Sequence, residues 1–138
     1  MIKELVIIRG LPGSGKTTYA KTHFPHFKLV ELDDYFTDEA GVFKFRIKDL
    51  PEAKVWCLRE TWKMIMSGIN TVVIQHFVTL DDLVPYLDFQ YKYRDINVSV
   101  ITCKSQFKTS KLINESTIQW MTKHWEGYTG ETIINECD

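Results

Sequence analysis

Residues Gly10-Leu11-Pro12-Gly13-Ser14-Gly15-Lys16-Thr17 match G-x-x-x-x-G-K-[ST] without deviation. That spacing suits one kind of chemistry, the cradling of a polyphosphate. Backbone N–H groups of a glycine-rich loop, backed by the N-terminus of the helix that follows, converge on an anion. Gly13 and Gly15 permit positive φ and let the main chain approach phosphate with no Cβ in the way. Lys16 is placed to reach the β- and γ-phosphates and the Thr17 hydroxyl to ligate Mg²⁺. Gly10, Leu11, Pro12, Ser14 and Thr18 complete the expected nucleotide-binding set. The pattern arises by accident in only about half a percent of chains this long.

A phosphate loop alone does not separate GTPases, ATPases and small kinases. Guanine recognition brings an N-K-x-D element, and the stretches Asn97-Val98-Ser99-Val100 and Asn114-Glu115-Ser116-Thr117 both fail it. ATP is therefore the expected nucleotide. A length of 138 residues favours a phosphotransferase over an oligomeric motor, which needs a helical lid as well.

Such a loop must leave a strand and enter a helix. Glu4 to Ile8 is a short β-branched run ending at Gly10, as a buried strand requires, and Lys16 to His23 reads as a helix stopped before Pro25. Phe27 to Leu32 is a second strand, leading into Asp33-Asp34. Asp38 to Gly41 is a loop, and Val42 to Ile47 fits either strand or loop. Pro51 to Met66 is a helix with Asp49 ahead of it, Pro51 in the first turn and Gly68 as a stop, its apolar side carrying Val55, Leu58, Trp62, Ile65 and Met66. Thr71 to Ile74 is a third strand. Thr79 with Asp82 caps a helix reaching about Tyr93, with Asp where Glu is usual. Val98 to Cys103 is a fourth strand, Asn114 or Ser116 caps a last helix through Trp125, and Thr132 to Ile134 is a fifth strand. Alternating strands and helices predict an α/β P-loop NTPase fold, a parallel five-stranded sheet with helices on both faces, formed by residues 1–138 as one domain.

Composition narrows the class further. At this length a chain buries roughly 68% of its unfolded surface, enough for a core without staples. The longest apolar runs, Leu5 to Ile8 and Thr71 to Ile74, fall far short of the roughly 20 residues that span a bilayer, and Met1-Ile2-Lys3-Glu4 has no signal-peptide layout. No membrane role is expected. Cys57, Cys103 and Cys137 are odd in number with no C-x-x-C spacing, which argues for reduced thiols in cytoplasm rather than disulfides or zinc. The net charge of -1 conceals a segregation. Glu31, Asp33, Asp34, Asp38 and Glu39 form an acidic run, whereas Lys92, Arg94, Lys104, Lys108 and Lys111 form a basic one opposed only by Asp95. A site that handles both magnesium and phosphate needs both signs, so the two runs are expected on either side of the loop.

Ile7 through Ala20, followed by Glu31-Leu32-Asp33-Asp34-Tyr35-Phe36, resembles the kinase domain of phage polynucleotide kinase and the related P-loop kinases often called AAA family ATPases. The later stretches, from the Gly41 loop with Phe43 and Phe45 to Thr117-Ile118-Gln119-Trp120-Met121-Thr122-Lys123-His124-Trp125-Glu126, resemble proteins related to NEDD4-binding protein 2. The resemblance implies an ATP- and Mg²⁺-dependent phosphotransferase acting on a nucleotide or polynucleotide 5′ end. Asp33 matches the acid that serves as general base toward the acceptor hydroxyl. A carboxylate at the end of a strand beside the loop strand suits that task or the holding of Mg²⁺. The chain departs from the family at two places. Gln75-His76-Phe77 stands where Asp-Thr-Asn follows the third strand, and Thr102 to Ile113 carries no arginine, leaving Lys104, Lys108 and Lys111 to screen the transferring phosphate. A non-catalytic ATP-binding protein is the alternative these departures allow. Trp56, Trp62, Trp120 and Trp125 are read as core. Tyr35, Phe36, Phe43 and Phe45 are expected near the acceptor, where they either stack on a base or serve the core.

Overall fold

The computed structural model describes residues 2–105 and 114–136. Five strands, β1 (Lys3–Gly10), β2 (Lys28–Glu31), β3 (Thr71–Ile74), β4 (Ile96–Cys103) and β5 (Glu131–Ile134), form one sheet in the order β2-β3-β1-β4-β5. Every pairing is parallel, with Ile8 opposite Ile74 on one side and Ile101 on the other. The helices are α1 (Lys16–His23), α2 (Leu50–Met66), α3 (Leu80–Leu87), α4 (Phe89–Lys92) and α5 (Glu115–His124). The sheet is the expected five-stranded parallel one, with helices on both faces.

Strand β1 is buried on both faces because successive side chains alternate between two cores. Leu5 and Ile7 join Ala53, Cys57 and Ile65 of α2 with Leu83, Tyr86 and Phe89. Val6 and Ile8 join Ala20 of α1, flanked by Tyr19, Phe24 and Phe27. Parallel pairing then brings the C-terminal ends of the strands to one edge, where ligands of open α/β sheets bind.

Several local expectations changed. Of the side of α2 expected to face the core, Ile65 is fully buried and Leu58 and Met66 pack against the core, whereas Val55 and Trp62 are exposed and the fully buried positions are Ala53, Cys57, Thr61 and Ile65, spaced four apart. Small side chains at Ala53, Cys57 and Thr61 let the helix lie close to the sheet, and Leu58 and Met66 are half-buried beside them. Trp56 and Trp125 are half-buried and Trp120 is exposed, so none of the four tryptophans is a buried core residue. The helix expected to reach Tyr93 breaks at Asp88 into α3 and α4, although Thr79 and Asp82 do form the full capping box. Val42 to Ile47 contributes no strand, only one bridge pairing Thr37 with Phe43. The basic run is divided. Lys92 and Arg94 precede β4 and Lys104 follows it, so the eight-residue strand separates them by about 25 Å. Lys108 and Lys111 lie outside the described residues.

Candidate active site

The loop between β1 and α1 takes the shape its glycines allow. Gly13 and Gly15 adopt φ of 77° and 87°, and Gly15 caps α1. Gly10 is required for a different reason. A Cβ there would stand 2.3 Å from Ser14 Oγ and 2.7 Å from the Cys103 carbonyl oxygen. Ser14 Oγ and Thr102 Oγ1 are buried without a hydrogen-bond partner. Both line a cleft of about 600 Å³ beside the loop, with Leu11, Pro12, Lys104 and Trp125. Buried hydroxyls rarely go unpaired, so these two oxygens mark unsatisfied polarity in the packing behind the cleft wall.

Lys16 Nζ donates to the carbonyl oxygens of Gly10 and Leu11, each at 3.0 Å, and stands 3.3 Å from His76 Nδ1. The Thr17 hydroxyl donates to a carboxylate oxygen of Glu31, at the end of β2. Asp33 faces a second cleft of about 240 Å³, lined also by Phe43, Phe45, His76, Asn114 and Met121. Helix α5 stands between the two clefts. Ile118 and Thr122 face the first, and Thr117 and Met121 face the second.

A family model described as an AAA domain matches residues 5–108. The chain belongs to this AAA_33 family. It is 31% identical to human NEDD4-binding protein 2 over 94% of its own length, and it spans only 8% of that relative. Its fold is that of a sugar kinase from Janibacter sp. HTCC2649, with a TM-score of 0.70 at 12% identity over 98% of this chain and 86% of that one. A chain of the Pnkp1/Rnl/Hen1 RNA repair complex follows with a TM-score of 0.63 at 18% identity, over 89% of this chain and 44% of that one. At these identities the likeness is one of fold.

Within this AAA_33 domain, the residues expected from sequence are brought together only in part. Gly10 through Thr17 form the loop, Thr18 is exposed on α1, and Lys104 lines the larger cleft. Asp33 reaches the smaller cleft with Phe43 and Phe45, whereas Phe36 is buried in the core and the Tyr35 hydroxyl donates to Glu52. Strand β2 is not beside β1. Because β3 intervenes, the side chain at the loop's flank is His76, and the acid nearest Thr17 is Glu31. Asp38 serves a turn, accepting from the N–H groups of Ala40 and Val42. Among the described residues no three His, Cys, Asp or Glu side chains gather into a metal-sized cluster. The donors present are the Thr17 hydroxyl and a carboxylate, a set suited to Mg²⁺ that arrives with its phosphates and waters.

Sequence reasoning missed Arg9. Its side chain is fully buried, paired with Glu131 at 3.2 Å and stacked 4.1 Å from the Trp125 ring centroid. Its guanidinium donates to the carbonyl oxygens of Phe77, Val78 and Glu126. Burial pulls the Arg9 pKa down, opposed first by Glu131. A charged residue inside a strand covered on both faces was the signal, since such a charge must be paired. Gln75 is also turned inward, its amide donating to the Tyr86 hydroxyl at 3.0 Å.

Proposed function

We propose that this domain is a Mg²⁺-dependent ATP phosphotransferase whose acceptor is a hydroxyl or phosphate of a nucleotide or polynucleotide 5′ end. One observation carries the reading: the phosphate loop walls one cleft and Asp33 lines a second, with α5 between them and His76, 3.3 Å from Lys16 Nζ, in the wall of the second. The larger, walled by the phosphate loop and by Lys104, suits the donor. The smaller presents Asp33 beside two phenylalanine rings, as an aromatic acceptor bearing a hydroxyl needs. The resemblance to polynucleotide kinases and the kinase-like fold support the same reading.

Lys16 and the loop N–H groups would hold the β- and γ-phosphates, and Thr17, beside Glu31, would hold the metal. Bound Mg²⁺ supplies charge neutralisation on the phosphate oxygens. Asp33 takes the acceptor proton as the new O–P bond forms and the bond from the γ-phosphorus to the β-phosphate oxygen breaks, releasing ADP. Lys104, with Lys108 and Lys111, would screen the transferring group.

The test is transfer of labelled γ-phosphate from ATP to a panel of oligonucleotides, nucleosides and nucleotides. A labelled product is expected, with Lys16→Ala or Asp33→Asn lowering its rate by roughly 100-fold or more. Unchanged transfer in either variant would sink the proposal. The inward turn of Gln75, at the position where the family carries a carboxylate, favours a second reading, ATP binding without transfer. Calorimetric binding of Mg-ATP with no product on any acceptor would establish it.

A further inference from the structure

We infer that His76 is a positioning residue for the phosphate-loop lysine, with its Nδ1 accepting a hydrogen bond from Lys16. The inference rests on the ATP-binding part of the reading above. Lys16 Nζ has the Gly10 and Leu11 carbonyl oxygens at 3.0 Å and His76 Nδ1 at 3.3 Å. An ammonium carries N–H donors and no acceptor, so it can only donate to a ring nitrogen at this distance. Nδ1 also lies 3.2 Å from the Gly10 carbonyl oxygen. A proton on Nδ1 would satisfy that carbonyl but aim N–H at a cation already donating there. The arrangement that leaves no donor facing a donor has Nδ1 bare and the proton on Nε2.

The backbone places this imidazole firmly. The Gln75 N–H donates to the Ile8 carbonyl at 3.4 Å, and the Gly10 N–H donates to the His76 carbonyl at 3.3 Å. His76 is therefore stitched to the strand that launches the loop. The next residue, Phe77, is 2% exposed with φ of 50°, a left-handed conformation costly for an aromatic residue. Its carbonyl is held by the Arg9 guanidinium. A strained turn clamped by a buried arginine fixes the direction in which His76 leaves the main chain. Lys16, by contrast, sits at the end of a flexible four-carbon stem. A rigid acceptor beside it limits where the ammonium waits before phosphate arrives.

Three variants separate positioning from polarity. Asn places its amide oxygen at the distance of Nδ1 from the backbone, Gln places its amide at the distance of Nε2, and Leu offers no acceptor. Mg-ATP affinity, measured by calorimetry on the full chain, is expected to stay within about twofold for His76→Asn and to fall roughly tenfold for His76→Gln and His76→Leu. Equal affinity in all three, or Gln retaining more than Asn, overturns the inference. If His76→Leu fails to fold, the contrast between Asn and Gln still decides. Wild-type chain that binds Mg-ATP but transfers nothing defeats the kinase reading and leaves this one standing. Wild-type chain that binds no Mg-ATP defeats both.

Discussion

Arg9 and Glu31 show how much can depend on side chains outside the phosphate-loop motif itself. Arg9 meets a carboxylate, an indole face and three backbone carbonyls in a site closed to water. Removing it takes a donor from the Phe77, Val78 and Glu126 carbonyls and the counter-charge from the buried Glu131. Arg9→Met is expected to cost about 3–5 kcal/mol of unfolding free energy, read from urea denaturation. Glu31 acts through one hydroxyl. If it orients Thr17 toward metal, Glu31→Gln will lower apparent Mg²⁺ affinity in a transfer or ATP-binding titration while changing stability little. Neither role was legible from residue type alone. A lone Arg in an apolar strand and an acid two positions before Asp33-Asp34 become informative only once β2, β3 and β1 are side by side. The loop's conformation was legible, because the glycine spacing encodes the positive φ found at Gly13 and Gly15.

At the scale of elements, strands and caps follow from local grammar, and inward faces do not. The capping box of α3 and the Asn114 cap of α5 stand where their hydroxyl and amide side chains suggested. The inward stripe of α2 escaped a search for large apolar residues because Ala53, Cys57 and Thr61 are small. Ala53→Leu should therefore destabilise by about 1–3 kcal/mol in thermal or urea unfolding, since the added atoms have no space against the sheet. Leucine at Val55, which is exposed, should be nearly neutral in the same assay. Gly10→Ala should abolish Mg-ATP binding, because its Cβ would displace Ser14 and with it the loop. Retained binding in a calorimeter would show that the loop can yield.

For the whole molecule, the acidic and basic runs look like opposed patches in the sequence but are not so in space. A parallel sheet sends residues before and after β4 to opposite ends, so only Lys104 of the described bases in that run joins the loop. The interior between α2 and α3 has its own pH signature. Burial pushes the Cys57 thiol and the Tyr86 hydroxyl up from their ordinary values, the latter strongly. Both stay protonated in the folded chain after their unfolded counterparts would ionise. Their raised values favour folding fully below the ordinary thiol range and lose that contribution as pH climbs. The thermal midpoint should thus fall above about pH 8.5 and further above about pH 10. Cys57→Ser would weaken the first of these steps, and a midpoint flat to pH 10.5 would contradict the burial account.

Helix α5 contributes no buried residue of its own, yet the chain just beyond it is fixed, with the Glu126 N–H donating to the Val78 carbonyl at 2.9 Å and Trp125 resting on Arg9. Mechanically it is a partition anchored just beyond its C-terminus, with Ile118 and Thr122 toward one cleft and Thr117 and Met121 toward the other. Two ligands occupying the clefts would share this single helix as a common wall, so a change in its tilt would widen one compartment as it narrows the other.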